Sequence, residues 1–165
     1  MKPWIKRPKE EAYLLNPPFC CLLVTASTIG YTSVENQGLP FSLPFLILPI
    51  VLHKQTRETL PRKITTSLAA WLEENQHAKI LYYERVKSLL PYVREAMLFG
   101  GLHNWLDLKN GDRISTSKTD RDIGNFVNKA TDEVKECVKH THFVGRWFAN
   151  AGSVETVMAL WGVRP

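Results

Sequence analysis

The side chains that could do chemistry in this sequence are few and scattered. Cysteine occurs at Cys20, Cys21 and Cys137, an odd count with no C-x-x-C pair. Neither a disulfide framework nor a zinc site is expected from that spacing. Cys20 and Cys21 lie in the apolar run FCCLLV, where a thiol behaves as a small hydrophobe. His140 and His142 flank Thr141, and side chains two apart on a helix point to different faces, which makes a poor metal pair. His53 and His103 have no acidic ligand pattern nearby. The carboxylates come as adjacent pairs, Glu10-Glu11, Glu73-Glu74 and Asp132-Glu133, which suits exposed helix charge better than facing acid and base. No phosphate loop, no G-x-G-x-x-G fingerprint and no G-x-S-x-G elbow occurs; Gly100-Gly101 follows a helix rather than a strand. No catalytic residue, cofactor site or metal ligand is therefore expected.

What remains is recognition. The net charge of +5, from 21 Lys+Arg against 16 Asp+Glu, permits contact with nucleic acid or an acidic partner without demanding it. Arg62 and Lys63 precede a predicted helix, and Lys109 and Arg113 flank a predicted turn; all four could touch DNA phosphates. Arg146-Trp147 in FVGRWFA could contact nucleic acid or pack as an amphipathic face with a snorkelling arginine. The other resource is apolar surface, with 44% hydrophobic residues, five Trp and seven Phe. Leu39–Leu52 is a run of fourteen residues without a charge, punctuated by Pro40, Pro44 and Pro49. It is shorter than the roughly 20 apolar residues a membrane helix needs, and its prolines each lack a backbone donor. It reads as a buried helix, Leu43–Leu52, capped by Ser42 and bent at Pro49, whose flanks could form a partner groove.

The elements that must position these groups are mainly helical. Asn16-Pro17-Pro18 starts a helix over about 17–32, with Phe19, Leu22, Leu23, Ala26 and Ile29 at helical spacing. Residues 33–41 read as a loop. Thr65 or Thr66 is expected to cap a helix over 67–75. A longer helix follows over about 78–99, kinked or split by Pro91 and ended by Gly100-Gly101. Asn110-Gly111 then signals a hairpin between 105–108 and 113–115, since both residues accept positive φ. PWIKRP should be extended, residues 115–122 a polar linker, and residues 123–150 one helix, with Ser153 capping a short last one.

The expected fold class is mainly α with a small β-hairpin: a winged-helix-like central unit with flanking helices. The 165 residues form a single domain in this reading, divided into N-terminal helices over 17–52, a winged-helix-like unit over 62–115 and C-terminal helices over 123–165. No secretory leader is expected, because MKPWIKRPKEEAYLL lacks a continuous apolar stretch, and reduced cysteines fit a cytoplasmic protein.

Four blocks carry a wider resemblance: RPKEEAYLLNPPFCCLLV, LPFSLPFLILPIVLHKQTRETLP, TTSLAAWLEEN and FVGRWFANAGSVETVMALWGVRP. Together they resemble the middle component of three-component ABC systems, bacterial anti-phage and anti-plasmid modules of the Lamassu type. The resemblance implies a non-enzymatic adaptor without cofactor. Its partners would be an SMC-like ABC ATPase that senses DNA and an effector subunit, often a nuclease; it implies no membrane. Phe45, Leu48, Trp147, Trp161 and Arg164 are the candidate partner-interface residues, the last two being of types that dominate interface energetics. The competing reading is a free-standing winged-helix DNA-binding regulator, and a third is an enzyme whose site carries no recognisable motif.

Overall fold

The computed structural model describes residues 7–163, so most of PWIKRP, together with Arg164, lies outside the described residues. Two elements open the chain, α1 (Lys9–Leu14) and α2 (Pro17–Thr32). The start of α2 follows the sequence rule closely: the Phe19 amide donates to the Asn16 side-chain oxygen at 2.8 Å, and proline fills the first turn. Helix α2 is buried on nearly all sides. Its hydroxyls satisfy themselves within the helix, Thr25 donating to the Cys21 carbonyl and Ser27 and Thr28 to that of Val24.

Helix α8 (Asp132–Ala149) packs along α2 more extensively than any other element, followed by α6 (Tyr82–Leu102). Glycine makes the α2–α8 approach possible from both sides. A Cβ on Gly30 would collide with the His142 carbonyl, and one on Gly145 with that of Ser27.

The apolar run forms α3 (Pro44–Val51), a helix with seven buried side chains that continues through Pro49. Ser42 does not cap it; Leu43 holds the cap position without a side-chain bond, and burial of the apolar side chains takes the place of capping. After α4 (Lys54–Glu58) comes α5 (Leu68–Glu74), capped by Ser67 rather than Thr65 or Thr66, its hydroxyl accepting the Ala70 amide at 3.4 Å.

The long helix differs from expectation at both ends. A 3-10 turn over Gln76–Lys79 and a left-handed Leu81, φ 54°, precede it, so α6 begins at Tyr82. Pro91 does not split it. Gly100-Gly101 does not end it either, because Gly100 is a packing position where a Cβ would meet Leu106 at 2.6 Å. Asn104, φ 56°, ends it instead: the Trp105 amide donates to the Gly100 carbonyl at 2.8 Å, closing a Schellman turn.

The hairpin is present as β2 (Asp107–Lys109) and β3 (Arg113–Ser115), with Asn110 and Gly111 both at positive φ. The expected loop before α3 hides a third strand, β1 (Leu39–Pro40). The antiparallel order is β1-β3-β2, with Ile114 opposite both Leu39 and Leu108. Pro40 is tolerated because β1 is an edge.

The expected single C-terminal helix is two, α7 (Asp120–Val127) and α8. A Thr119–Asp122 capping box starts α7 inside the supposed linker, and Thr131 caps α8. The last helix, α9 (Val154–Leu160), is capped by Ser153 as expected. One hydrophobic cluster connects these elements from Cys20 to Val163.

Candidate partner-docking surface

Helix α6 is apolar on two sides. Tyr82, Val86, Val93, Ala96 and Gly100 recur at helical spacing and face the core. A second row, Arg94, Leu98 and Leu102, lies one turn apart on the opposite side, with Leu98 69% and Leu102 82% exposed. Leu98 stands four residues from both Arg94 and Leu102, so helical phasing alone sets the three on one side. The sheet brings Phe41, Leu106, Leu108 and Ile114 beside this row, enclosing a groove of about 600 Å³. Of ten large hydrophobic residues exposed among the described residues, Phe41, Leu98, Leu102 and Leu108 converge here. Gly101 notches the floor, since a Cβ there would meet nothing within 4 Å.

A second groove of about 790 Å³ lies at the other end of α6 and is partly polar. Arg57, 3% exposed, organises its base: its guanidinium donates to the Val51 carbonyl at 2.7 Å and to Cys137 Sγ at 3.2 Å, and pairs with Glu133. It thereby ties the end of α3 to α8. Burial raises the Cys137 thiol above its usual range, against the opposing pull of Arg57. Burial likewise lowers His53, whose Nδ1 contacts the Thr56 hydroxyl at 2.7 Å. Arg57 is thereby committed to its own neighbours, and the Cys137 beside it is held as a thiol at neutral pH. Among the described residues no group of three or more His, Cys, Asp or Glu is placed to hold a metal.

Most of the expected interface residues lie elsewhere than on the surface. Leu48, Trp147 and Trp161 are buried at 1%, 1% and 3% exposure. Trp71 and Trp147 meet edge to face at 5.3 Å, and Tyr82 and Trp161 pack at 4.3 Å. The Trp147 indole donates to the Thr66 carbonyl at 2.7 Å, and Tyr82 to that of Leu46 at 2.8 Å. The tryptophans join α5, α6, α8 and α9 as core, because large aromatic faces stabilise a small protein's interior as readily as an interface. Phe45 is half-buried and stacks near Phe41 at 5.9 Å. Arg164 lies outside the described residues.

Of the four candidate phosphate contacts, two are exposed on a connector and two are engaged by neighbouring groups. Arg62 and Lys63 are exposed on the connector before α5. Lys109 pairs with Asp107, while Arg113 lies 3.9 Å from Asp112 and donates to the Gly38 carbonyl at 3.2 Å. No helix of the described residues is long and apolar enough to cross a membrane.

Comparison with curated proteins and with solved structures found no match. A protein-family model, described as ABC-three component (ABC-3C) system Middle Component 3, matches residues 4–165. The match spans both grooves and the tryptophan cluster, and by it the chain belongs to the family of middle components of ABC-three component systems.

Proposed function

We propose that this chain is a non-enzymatic, cytoplasmic adaptor that joins an SMC-like ABC ATPase to an effector, often a nuclease, in bacterial defence against phage and plasmids. Assignment to the Lamassu group is part of the proposal and rests on the four sequence blocks. The observation that carries the adaptor reading is the leucine-lined groove between α6 and the sheet, within a chain whose family name makes it one of three components. A monomeric protein gains nothing from exposing such a contiguous face to water, so the groove calls for a protein neighbour.

The element order supports a winged-helix-like reading: α2, β1, α3, then α6, β2 and β3, with β3 central in the sheet. In this reading the unit reaches back to α2 and does not begin at residue 62. A DNA reader built this way needs cations on the exposed side of its long helix and on its wing. Here the exposed row of that helix carries two leucines and a single cation, Arg94, while Lys87 is paired with Glu84 and the wing's Lys109 with Asp107. The surface therefore favours a protein-binding winged unit over the free-standing DNA regulator.

The test is expression of the tagged chain with the products of its two neighbouring genes. Recovery of both on the tag supports the adaptor. Recovery of neither, together with tight salt-dependent DNA binding by the chain alone, would replace it with the regulator.

A further inference from the structure

We propose that the groove between α6 and the sheet seats an amphipathic helix of one of the other two components of the system. That helix presents leucine-sized side chains to Leu98 and Leu102 and a carboxylate to Arg94. The inference rests on the adaptor reading and names the surface through which it acts.

Three features select this occupant. Arg94, Leu98 and Leu102 run along one side of α6 over about 12 Å, two helical turns at 1.5 Å per residue. A partner helix offers side chains at the same interval. Between the two leucines, Gly101 leaves open space where every other residue type would raise a ridge. A ridge of a second helix fits such a depression. The charge on the rim is also one-sided. Asp107 is neutralised by Lys109 within the hairpin, whereas Arg94 is exposed and has no ion pair among the described residues. The uncompensated charge is positive, so the occupant that complements it brings an acid. Arg94 favours a carboxylate in particular because its fork can bond both oxygens.

The experiment uses the complete system, with this chain tagged and the other two components co-expressed. Four chains are compared: wild type, the double variant Leu98→Asp with Leu102→Asp, Arg94→Glu, and Ile80→Asp as a control on an exposed position outside the groove. Thermal melting of each purified chain reports folding. The double variant is expected to lose one component by roughly tenfold or more while retaining the other. Arg94→Glu should weaken capture of the same component by several-fold, and Ile80→Asp should change nothing. If the double variant melts early, Gly101→Met fills the notch without touching the core and is expected to give the same selective loss. Undiminished capture by the double variant or by Gly101→Met would overturn the assignment and leave the adaptor reading standing. So would a wild-type chain that is dimeric alone and monomeric once Leu98 and Leu102 are replaced, which would give the groove to a second copy. A wild-type chain that captures neither component would overturn the adaptor reading and this one with it.

Discussion

Cys20 and Cys21 are adjacent in α2 and almost wholly enclosed, at 0% and 1% exposure. Burial, above other causes, pushes their thiols up to about 12 and about 11. Thiolate is the reactive form, so native protein at neutral pH should leave both unmodified by iodoacetamide, whereas urea-unfolded protein should be alkylated at all three cysteines. Rapid native alkylation at Cys20, read by mass spectrometry, would contradict this. The glycines of the α2–α8 crossing make a sharper case. Gly30→Ala or Gly145→Ala places a methyl against a carbonyl of the facing helix, and should cost about 3 kcal/mol in urea unfolding. Gly101→Ala meets open space in a helix and should be neutral or stabilising by about 0.5 kcal/mol. Arg57→Met removes the bonds to Val51 and Cys137 and should cost about 2 kcal/mol; the Glu133 pairing adds little because that carboxylate is 59% exposed.

At the scale of elements, Asp120 at the start of α7 faces His142 of α8. Asp120 Oδ1 lies 3.5 Å from His142 Nε2, close enough for attraction but without a hydrogen bond. Burial is the first influence on His142 and lowers its pKa; Asp120 opposes it and Arg146 adds to it. His53 is also lowered, chiefly by burial. Both histidines take up protons near pH about 6.5 when unfolded and only below that when folded. The unfolded chain therefore binds more protons in this window, and stability must fall as pH drops through 6.5. Melting temperature is expected to decline between pH 7.5 and 5.5, less steeply in His142→Gln. A flat or rising profile would contradict the burial of these rings.

Which elements could be read from the sequence follows from the kind of signal each carries. Helix α2 was legible from its cap and two prolines, but not its inward side: Phe19, Leu22 and Ile29 of the apolar row are only half-buried, whereas Cys20, Val24, Thr28 and Tyr31 are enclosed. The hairpin was legible from Asn110-Gly111. Strand β1 was not, since two residues carry no period and one is proline. The α7–α8 break was hidden because apolar spacing continues across it through Phe126, Val127, Ala130 and Val134, and the Thr131 cap is its one local mark. The burial of Trp147 and Trp161 was not legible because the residue types enriched at interfaces also fill cores. The groove was half visible: Leu98 and Leu102 were there to be phased against Gly100, but the sheet wall that encloses them depends on a pairing between β1 and β3 across 75 positions of chain.

For the whole molecule, most large apolar residues go to one core, and four of the ten exposed among the described residues gather in one groove. Trp71, Trp147, Trp161 and α3 go inward, and the side chains of Phe41, Leu98, Leu102 and Leu108 remain outside in one place. This division gives the chain one enclosed core and one apolar face open to solvent. The decisive measurement is size-exclusion chromatography with mass analysis of the system's other two components, mixed with and without this chain. The account predicts that the two co-elute only when the chain is present, and no longer do so when it carries Leu98→Asp and Leu102→Asp. Co-elution of the two in its absence, or three separate species in its presence, would contradict an adaptor.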